Sequence, residues 1–172
     1  MVVAATGFFD GVHSGHRAVL QTLKDTAWVY SCESAVITFW PHPRNVLQKD
    51  ASTFRLLNTL DEKRRLIHDF GIDKFFVIPF TKEFSQKDAA TFLKDYLIDH
   101  FGVTVLIIGY DHRLGNSSCR SREELEEIAQ SVGLKTIVVK EVNSGDVTVS
   151  STKIRAALAQ GDISTATQML GY

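Results

Sequence analysis

With 172 residues and 44% hydrophobic content, the chain has enough apolar material for one well-buried domain and is too short for two. Its 19 basic and 20 acidic residues leave a net charge of −1. That balance excludes a field able to hold nucleic acid nonspecifically and argues against a membrane-surface role, while leaving room for local positive groups around a small anion.

The opening residues Met1-Val2-Val3-Ala4-Ala5-Thr6 are too short, and lack the basic start, for a signal peptide. They read as the first of five β-rich runs, at 2–6, 35–39, 74–78, 103–108 and 135–139. These runs are continuous in Val and Ile rather than alternating, the pattern of strands covered on both faces of a parallel sheet. Helices are expected between them. Residues 15–27 carry Val19, Leu20 and Leu23 on one side. Thr59-Leu60-Asp61-Glu62 is a capping-box start for a helix that runs to Phe70 and stops at Gly71. Ser85 is expected to open the next, with Ala89, Phe92, Leu93, Tyr96 and Leu97 at helical spacing. Ser121-Arg122-Glu123-Glu124 opens another that ends near Gly133, and short helices at 152–160 and 163–170 finish the chain. The alternation predicts an α/β fold, a doubly wound five-stranded parallel sheet, over the single domain 1–172. No apolar run approaches the ~20 residues of a membrane span. Cys32 and Cys119 form no metal or redox motif and are expected to be free thiols in a reducing, cytoplasmic setting.

Open sheets of this kind bind ligands beyond the C-terminal ends of their strands, and the chemically distinctive residues fall there. Strand one runs into Gly7-Phe8-Phe9-Asp10-Gly11-Val12-His13-Ser14-Gly15-His16 and strand two into Thr38-Phe39-Trp40-Pro41-His42-Pro43. Strand three ends at Pro79-Phe80-Thr81 and strand four at Gly109-Tyr110-Asp111-His112-Arg113. His13 and His16, three apart at a helix start, share one face. The helix N-terminus adds partial positive charge and free N–H groups, and Gly15 lets a bulky ligand approach the backbone. Together these make a polyphosphate site. An accidental surface pair is the plain alternative, and a zinc pair lacks an evident third ligand. Ser151, Thr152 and Arg155 repeat the theme at a later helix start: hydroxyls, amides and a bidentate guanidinium suit phosphate, though Ser and Thr also serve as ordinary N-caps. Pro41-His42-Pro43 predicts a stiff extended loop. Phe80 can pack on a flat ring or simply on the core. Asp111 can accept hydrogen bonds from a ribose or an adenine, or serve as a turn residue.

The Gly-Phe-Phe-Asp-Gly-Val-His-Ser-Gly-His segment resembles the signature of the HxGH nucleotidyltransferases, and its Phe-Asp-Gly-Val narrows the likeness to the prokaryotic FAD synthetases. Ser150-Ser151-Thr152-Lys153-Ile154-Arg155 resembles the second superfamily motif. Thr38-Phe39-Trp40-Pro41-His42-Pro43 and Pro79-Phe80-Thr81 are similar to that family's flavin-side loops. Gly109 and Asp111 match its adenosine-side segment, in which Leu114 replaces a Phe and Asn116-Ser117-Ser118 departs from the usual basic stretch. The likeness runs from strand one to Leu170-Gly171-Tyr172.

The resemblance implies a Rossmann-like nucleotidyltransferase fold and an FMN adenylyltransferase that makes FAD and pyrophosphate from ATP and FMN. His13, His16 and Arg155 would be catalytic. Gly7, Phe8, Phe9, Asp10, Gly15, Gly109, Asp111, Ser151 and Thr152 would bind ATP, and Pro41, His42, Pro43 and Phe80 would bind FMN. Mg2+ is expected with ATP, held by phosphate oxygens and water rather than by direct protein ligands. The partners are then small molecules, with no nucleic acid and no membrane. The riboflavin kinase domain that follows in most bacterial members is not expected here; it is separate or deleted. Another HxGH nucleotidyltransferase with a different phosphorylated acceptor, or a noncatalytic flavin- or nucleotide-binding module, are the competing readings.

Overall fold

The apolar runs fold as their composition requires. In the computed structural model, which describes residues 1–47, 54–109, 121–140, 143–144 and 147–172, they become strands β1 (Val2–Thr6), β2 (Glu33–Trp40), β3 (Lys74–Pro79), β4 (Val103–Ile108) and β5 (Lys135–Val138). They form one parallel sheet in the order β3-β2-β1-β4-β5. Successive side chains in a strand point to opposite faces, so each run feeds two cores. On one face Val3, Ala5, Val36, Val105 and Ile107 meet helix α1 (Ser14–Val29) through Val19, Leu20 and Leu23, and α3 (Leu60–Asp69) through Ile67. On the other, Ala4, Ile37, Phe39, Leu106 and Ile108 meet Phe92, Leu93 and Leu97, and Leu125 and Ala129 of α6 (Arg122–Ser131). A third cluster joins α7 (Ser151–Ala159) to α8 (Ile163–Leu170) through Ile154, Ala157, Ala166 and Met169. No helix among the described residues is long and apolar enough to cross a membrane.

The helix expected from Ser85 is two separate pieces. Thr81 caps a single turn, α4 (Lys82–Ser85), by accepting the Phe84 N–H at 3.0 Å. The Ser85 hydroxyl donates back to Lys82 O at 2.7 Å, closing that turn instead of opening a helix. The real start is Asp88, whose carboxylate accepts the Thr91 N–H at 2.7 Å and begins α5 (Ala89–Thr91). From Phe92 to His100 the helix is wound in the wider π form and still buries Phe92, Leu93 and Leu97. The loop after β2 is likewise not extended throughout. The Trp40–Pro41 peptide is cis, and Pro43 opens a helical turn, α2 (Pro43–Leu47). Proline suits a first helical position, where its missing N–H would have had no partner. A small antiparallel pair, β6 (Asn143–Ser144) with β7 (Val147–Thr148), was not legible from the sequence.

Helix α1 ends in a full Schellman arrangement. Ser31 N–H donates to Trp28 O and Cys32 N–H to Ala27 O, both at 3.0 Å. The left-handed residue it requires is Ser31, at φ 51°, and Ser31 is exposed. A non-glycine residue costs ~1–2 kcal/mol there, against ~0.4–1 kcal/mol of extra unfolded-chain freedom for glycine. Ser31→Gly should therefore stabilise the fold by about 0.5–1 kcal/mol. Urea unfolding measures this, and a lower midpoint for the variant would contradict it.

Candidate active site

Strand β1 lies between β2 and β4, where the sheet order reverses, so its C-terminal end opens into the crevice. The loop that leaves it is held backbone atom by backbone atom. Gly7 N–H donates to Ile37 O at 3.2 Å, and the Thr38 hydroxyl donates to Phe8 O at 3.3 Å. Phe9, Gly11 and Val12 then take left-handed φ values of 54°, 80° and 40°. For Phe9 and Val12 this is strain on the order of 1–3 kcal/mol each, sustained only because the surroundings over-determine it. At Gly11 the requirement is steric as well: a Cβ would lie 2.7 Å from Leu57 Cδ1.

Four chain segments supply that constraint. Gly11 N–H donates to Asn58 Oδ1 at 3.3 Å, and Tyr172 donates its hydroxyl to Gly11 O at 2.8 Å. The Ser151 hydroxyl donates to Asp10 O at 2.9 Å, and Arg17 Nε donates to Val12 O at 3.4 Å. Asp10 is the hub. Only 3% exposed, its carboxylate accepts the Leu57 N–H at 3.0 Å and is ion-paired with Arg155 Nη2. Arg155 Nε donates to Arg55 O at 2.7 Å, and its guanidinium lies 4.4 Å from the Phe54 ring centroid. With five donors in a planar fork, the guanidinium keeps donors for a further anion after these two bonds.

The histidines sit where this loop becomes α1. His13 is the N-cap: its Nδ1 accepts the His16 N–H at 3.3 Å. That bond puts a lone pair on Nδ1, so the proton of a neutral ring lies on Nε2. The two rings stack with centroids 3.6 Å apart and planes 15° from parallel. Gly15 makes room for this, since a Cβ there would come within 3.3 Å of the His13 ring. His16 rests edge-on against Phe9 at 5.1 Å, and its Nδ1 is buried with no hydrogen-bond partner. Burial, then the neighbouring His13 and Lys63 charges, hold His16 well below the ordinary imidazole range.

The Trp40–Pro43 loop lies against the loop that leaves β1. His42 stands edge-on to Phe8 at 4.0 Å, its Nδ1 accepting the Arg44 N–H at 3.0 Å. Burial, then Arg155, Arg44 and Lys63, bring its pKa down to about 4. Beside Trp40 a cavity of about 460 Å³ opens between that residue and the 56–62 segment.

His13, His16, Gly15, Phe8, Phe9, Asp10, Ser151, Arg155 and His42 are thus one constellation, with Gly7 at its base. Pro41 and Pro43 frame His42. Thr152 is exposed on the first turn of α7, and Gly109 directly follows β4, with Val19 Cγ2 3.5 Å from where its Cβ would be. The Phe80 N–H donates to Trp40 O at 2.8 Å, but its ring packs against Phe39 and Phe84 over the opposite core. Asp111, Leu114, Asn116–118 and Cys119 lie outside the described residues.

Sequence reasoning missed Lys63. It is 0% exposed, its Nζ has no hydrogen-bond partner among the described residues, and it lies 3.5 Å from the Phe8 ring centroid. Burial lowers its pKa to about 8, with Asp10 pulling the other way. The signal was present in the pattern. Leu60, Ile67 and Phe70 mark the inward stripe of α3, and Lys63 stands in that stripe.

Neutral buried imidazoles couple stability to pH. His16 and His42 bind protons less readily in the folded chain than in the unfolded one, so stability rises with pH across their shifted window. It should be fully present above the free-imidazole value of about 6.5 and fall as the pH drops toward about 4, where His42 titrates. Denaturant unfolding at pH 7 and pH 5 should show the loss, with a smaller loss in His42→Gln. Equal stability at both pH values would refute this coupling.

A family model described as FAD synthetase matches residues 1–153. A bifunctional riboflavin kinase/FMN adenylyltransferase of Listeria monocytogenes is 35% identical over 170 residues, 99% of this chain and 54% of that protein. Its Escherichia coli counterpart is 32% identical over the same coverage. The chain therefore spans about half the length of these curated relatives. The crystal structure of a macrolide-efflux protein from Streptococcus pneumoniae superposes with a TM-score of 0.88 at 24% identity, covering 99% of this chain and 56% of that one, a likeness of fold. Set beside the histidine loop, the Arg155–Asp10 hub and the nucleotidyltransferase-type sheet, the match places the chain in the FAD synthetase family.

Proposed function

We propose that the chain is an FMN adenylyltransferase, joining the AMP of ATP to FMN to give FAD and pyrophosphate. One observation carries this reading. Two helix beginnings, α1 with its stacked imidazoles and α7 with Ser151 and Arg155, are bonded to the same loop at the end of β1. Such an arrangement gathers cationic and N–H groups around a polyphosphate. The family match and the names of the relatives supply the acceptor.

The FMN phosphate is largely dianionic near pH 7, its second pKa being about 6, so it needs no general base. An oxygen of that phosphate attacks the α-phosphorus of ATP, the bond from the α-phosphorus to the bridging oxygen breaks, and pyrophosphate leaves with that oxygen. The work is alignment and charge stabilisation. His13 Nε2 and His16 act at the α- and β-phosphates. Arg155, Ser151 and Thr152 hold the β- and γ-phosphates. Gly7, Phe8, Phe9, Asp10 and Gly15 shape the backbone cradle; Gly109 is assigned to the adenosine, as Asp111 is by the family resemblance alone. Pro41, His42 and Pro43 border the flavin, which the cavity beside Trp40 admits; Phe80 supports that rim from the core side. Magnesium would come with ATP, held by phosphate oxygens and water, and would screen the phosphate charge. Asp10, with both carboxylate oxygens already accepting from Leu57 and Arg155, is spoken for by the protein.

Incubation with ATP, Mg2+ and FMN should yield FAD and pyrophosphate by chromatography. Nicotinamide mononucleotide, phosphopantetheine and alcohol phosphates with ATP or CTP should give no product. Faster turnover of any of these than of FMN would displace the assignment. His13→Ala and His16→Ala should each lower kcat by roughly 10²-fold or more, the cost of losing one transition-state donor. Unchanged rates in both would remove the imidazoles from the mechanism.

A further inference from the structure

Among the described buried polar groups at this site that lack a hydrogen-bond partner, with His16 Nδ1 and Asn58 Nδ2, Lys63 is the cation. Its Nζ is a compact cation with three donors, sealed from solvent, with no hydrogen-bond partner among the described residues and an aromatic face at 3.5 Å. A buried ammonium without an acceptor is costly, and cation–π contact with Phe8 replaces only part of what water would give it. Asp10, the carboxylate whose charge Lys63 feels, is already bonded to Arg155 and Leu57.

Its position says which anion it would meet. The Phe8 ring against its ammonium is edge-on to His42 at 4.0 Å and stacked with Trp40, and the next residue, Phe9, is edge-on to His16 at 5.1 Å. Lys63 thus lies where the end of β1 meets the Trp40–Pro43 loop at the end of β2. The phosphate of a phosphorylated acceptor must occupy that boundary, since it is attached to the group beside His42 and must reach the phosphorus beside the histidines. Arg155 already donates to Asp10 and to Arg55 O.

The geometry points to Lys63 as the cation that receives the acceptor's phosphate monoester, exchanging the face of Phe8 for phosphate oxygens when that acceptor binds. This rests on the FMN adenylyltransferase reading and adds to it a residue that distinguishes FMN from unphosphorylated riboflavin. The four-carbon stem of lysine allows the exchange, and half-buried Phe8, edge-on to His42, is the side chain that yields.

The test compares wild type, Lys63→Met and Lys63→Arg, titrating FMN, riboflavin and ATP separately by calorimetry or flavin fluorescence. Wild type should bind FMN more tightly than riboflavin. Lys63→Met should weaken FMN by roughly 10–100-fold, the range for a charge-assisted hydrogen bond, with riboflavin and ATP within about 3-fold of wild type and the thermal midpoint no lower. Lys63→Arg should keep the preference for FMN. Weakened ATP with unchanged FMN would assign Lys63 to the triphosphate and overturn the inference. Equal loss of FMN and riboflavin would reduce Lys63 to packing and overturn it too. Wild type that makes FAD but binds FMN and riboflavin equally would refute this inference alone, whereas wild type that makes no FAD would refute the adenylyltransferase reading itself.

Discussion

The contact on which the site depends is the buried ion pair between Asp10 and Arg155, 145 residues apart. A buried pair of this kind adds little net stability relative to a well-packed apolar one, but removing either partner strands a charge. Its value here is positional. Asp10 belongs to a loop in which two non-glycine residues hold left-handed angles, a state the loop cannot keep unaided. Arg155 belongs to α7, which packs mainly on α8 through a small cluster of its own. The pair fixes the strained loop to the outlying helices, and the Ser151 and Tyr172 bonds to the loop carbonyls reinforce it. Polar groups that point at a ligand are thereby set before the ligand arrives, which electrostatic catalysis requires.

The cations are arranged around this pair in graded fashion. Arg155 is 19% exposed and paired with Asp10, whereas Lys63 is sealed in and its Nζ lacks a hydrogen-bond partner among the described residues. The displacement of the Lys63 pKa from 10.5 to about 8 corresponds to a charge-burial cost on the order of 3 kcal/mol. A leucine or methionine in the same helical stripe would avoid that cost. Tolerating it is the usual mark of a residue retained for what it binds rather than for the fold.

Much of this was legible in the sequence, for identifiable reasons. The five strands follow from uninterrupted Val and Ile runs, and the histidine loop follows from glycines beside imidazoles at a strand end. The capping box at Thr59 is formed in both directions, Thr59 and Glu62 each accepting the other's N–H. Local hydrogen-bond competition was less legible. Thr81, Ser85 and Asp88 are all good caps, and which one opens the helix depends on where each side chain finds its partner. Long-range partnership was not legible at all. Asp10 read as part of an ATP cradle, and nothing near it in sequence reveals Arg155 as its partner. Lys63 drew no reading: its place in the stripe of Leu60 and Ile67 marks it as inward, but what that stripe packs against is not written nearby in the chain. Phe80 carries a ring that suits a flavin, but the sheet turns that ring toward Phe39 and Phe84.

The parallel contact of the two imidazoles has a consequence of its own. Rings stacked 3.6 Å apart repel each other when both are cationic, which adds to burial in disfavouring the charged form of His16. A polyanion laid across them reverses that preference, because each added negative oxygen favours the imidazolium. On the proposed reading, nucleotide capture in mildly acidic solution would be accompanied by net proton uptake, and its heat would vary with the ionisation enthalpy of the buffer that supplies the proton.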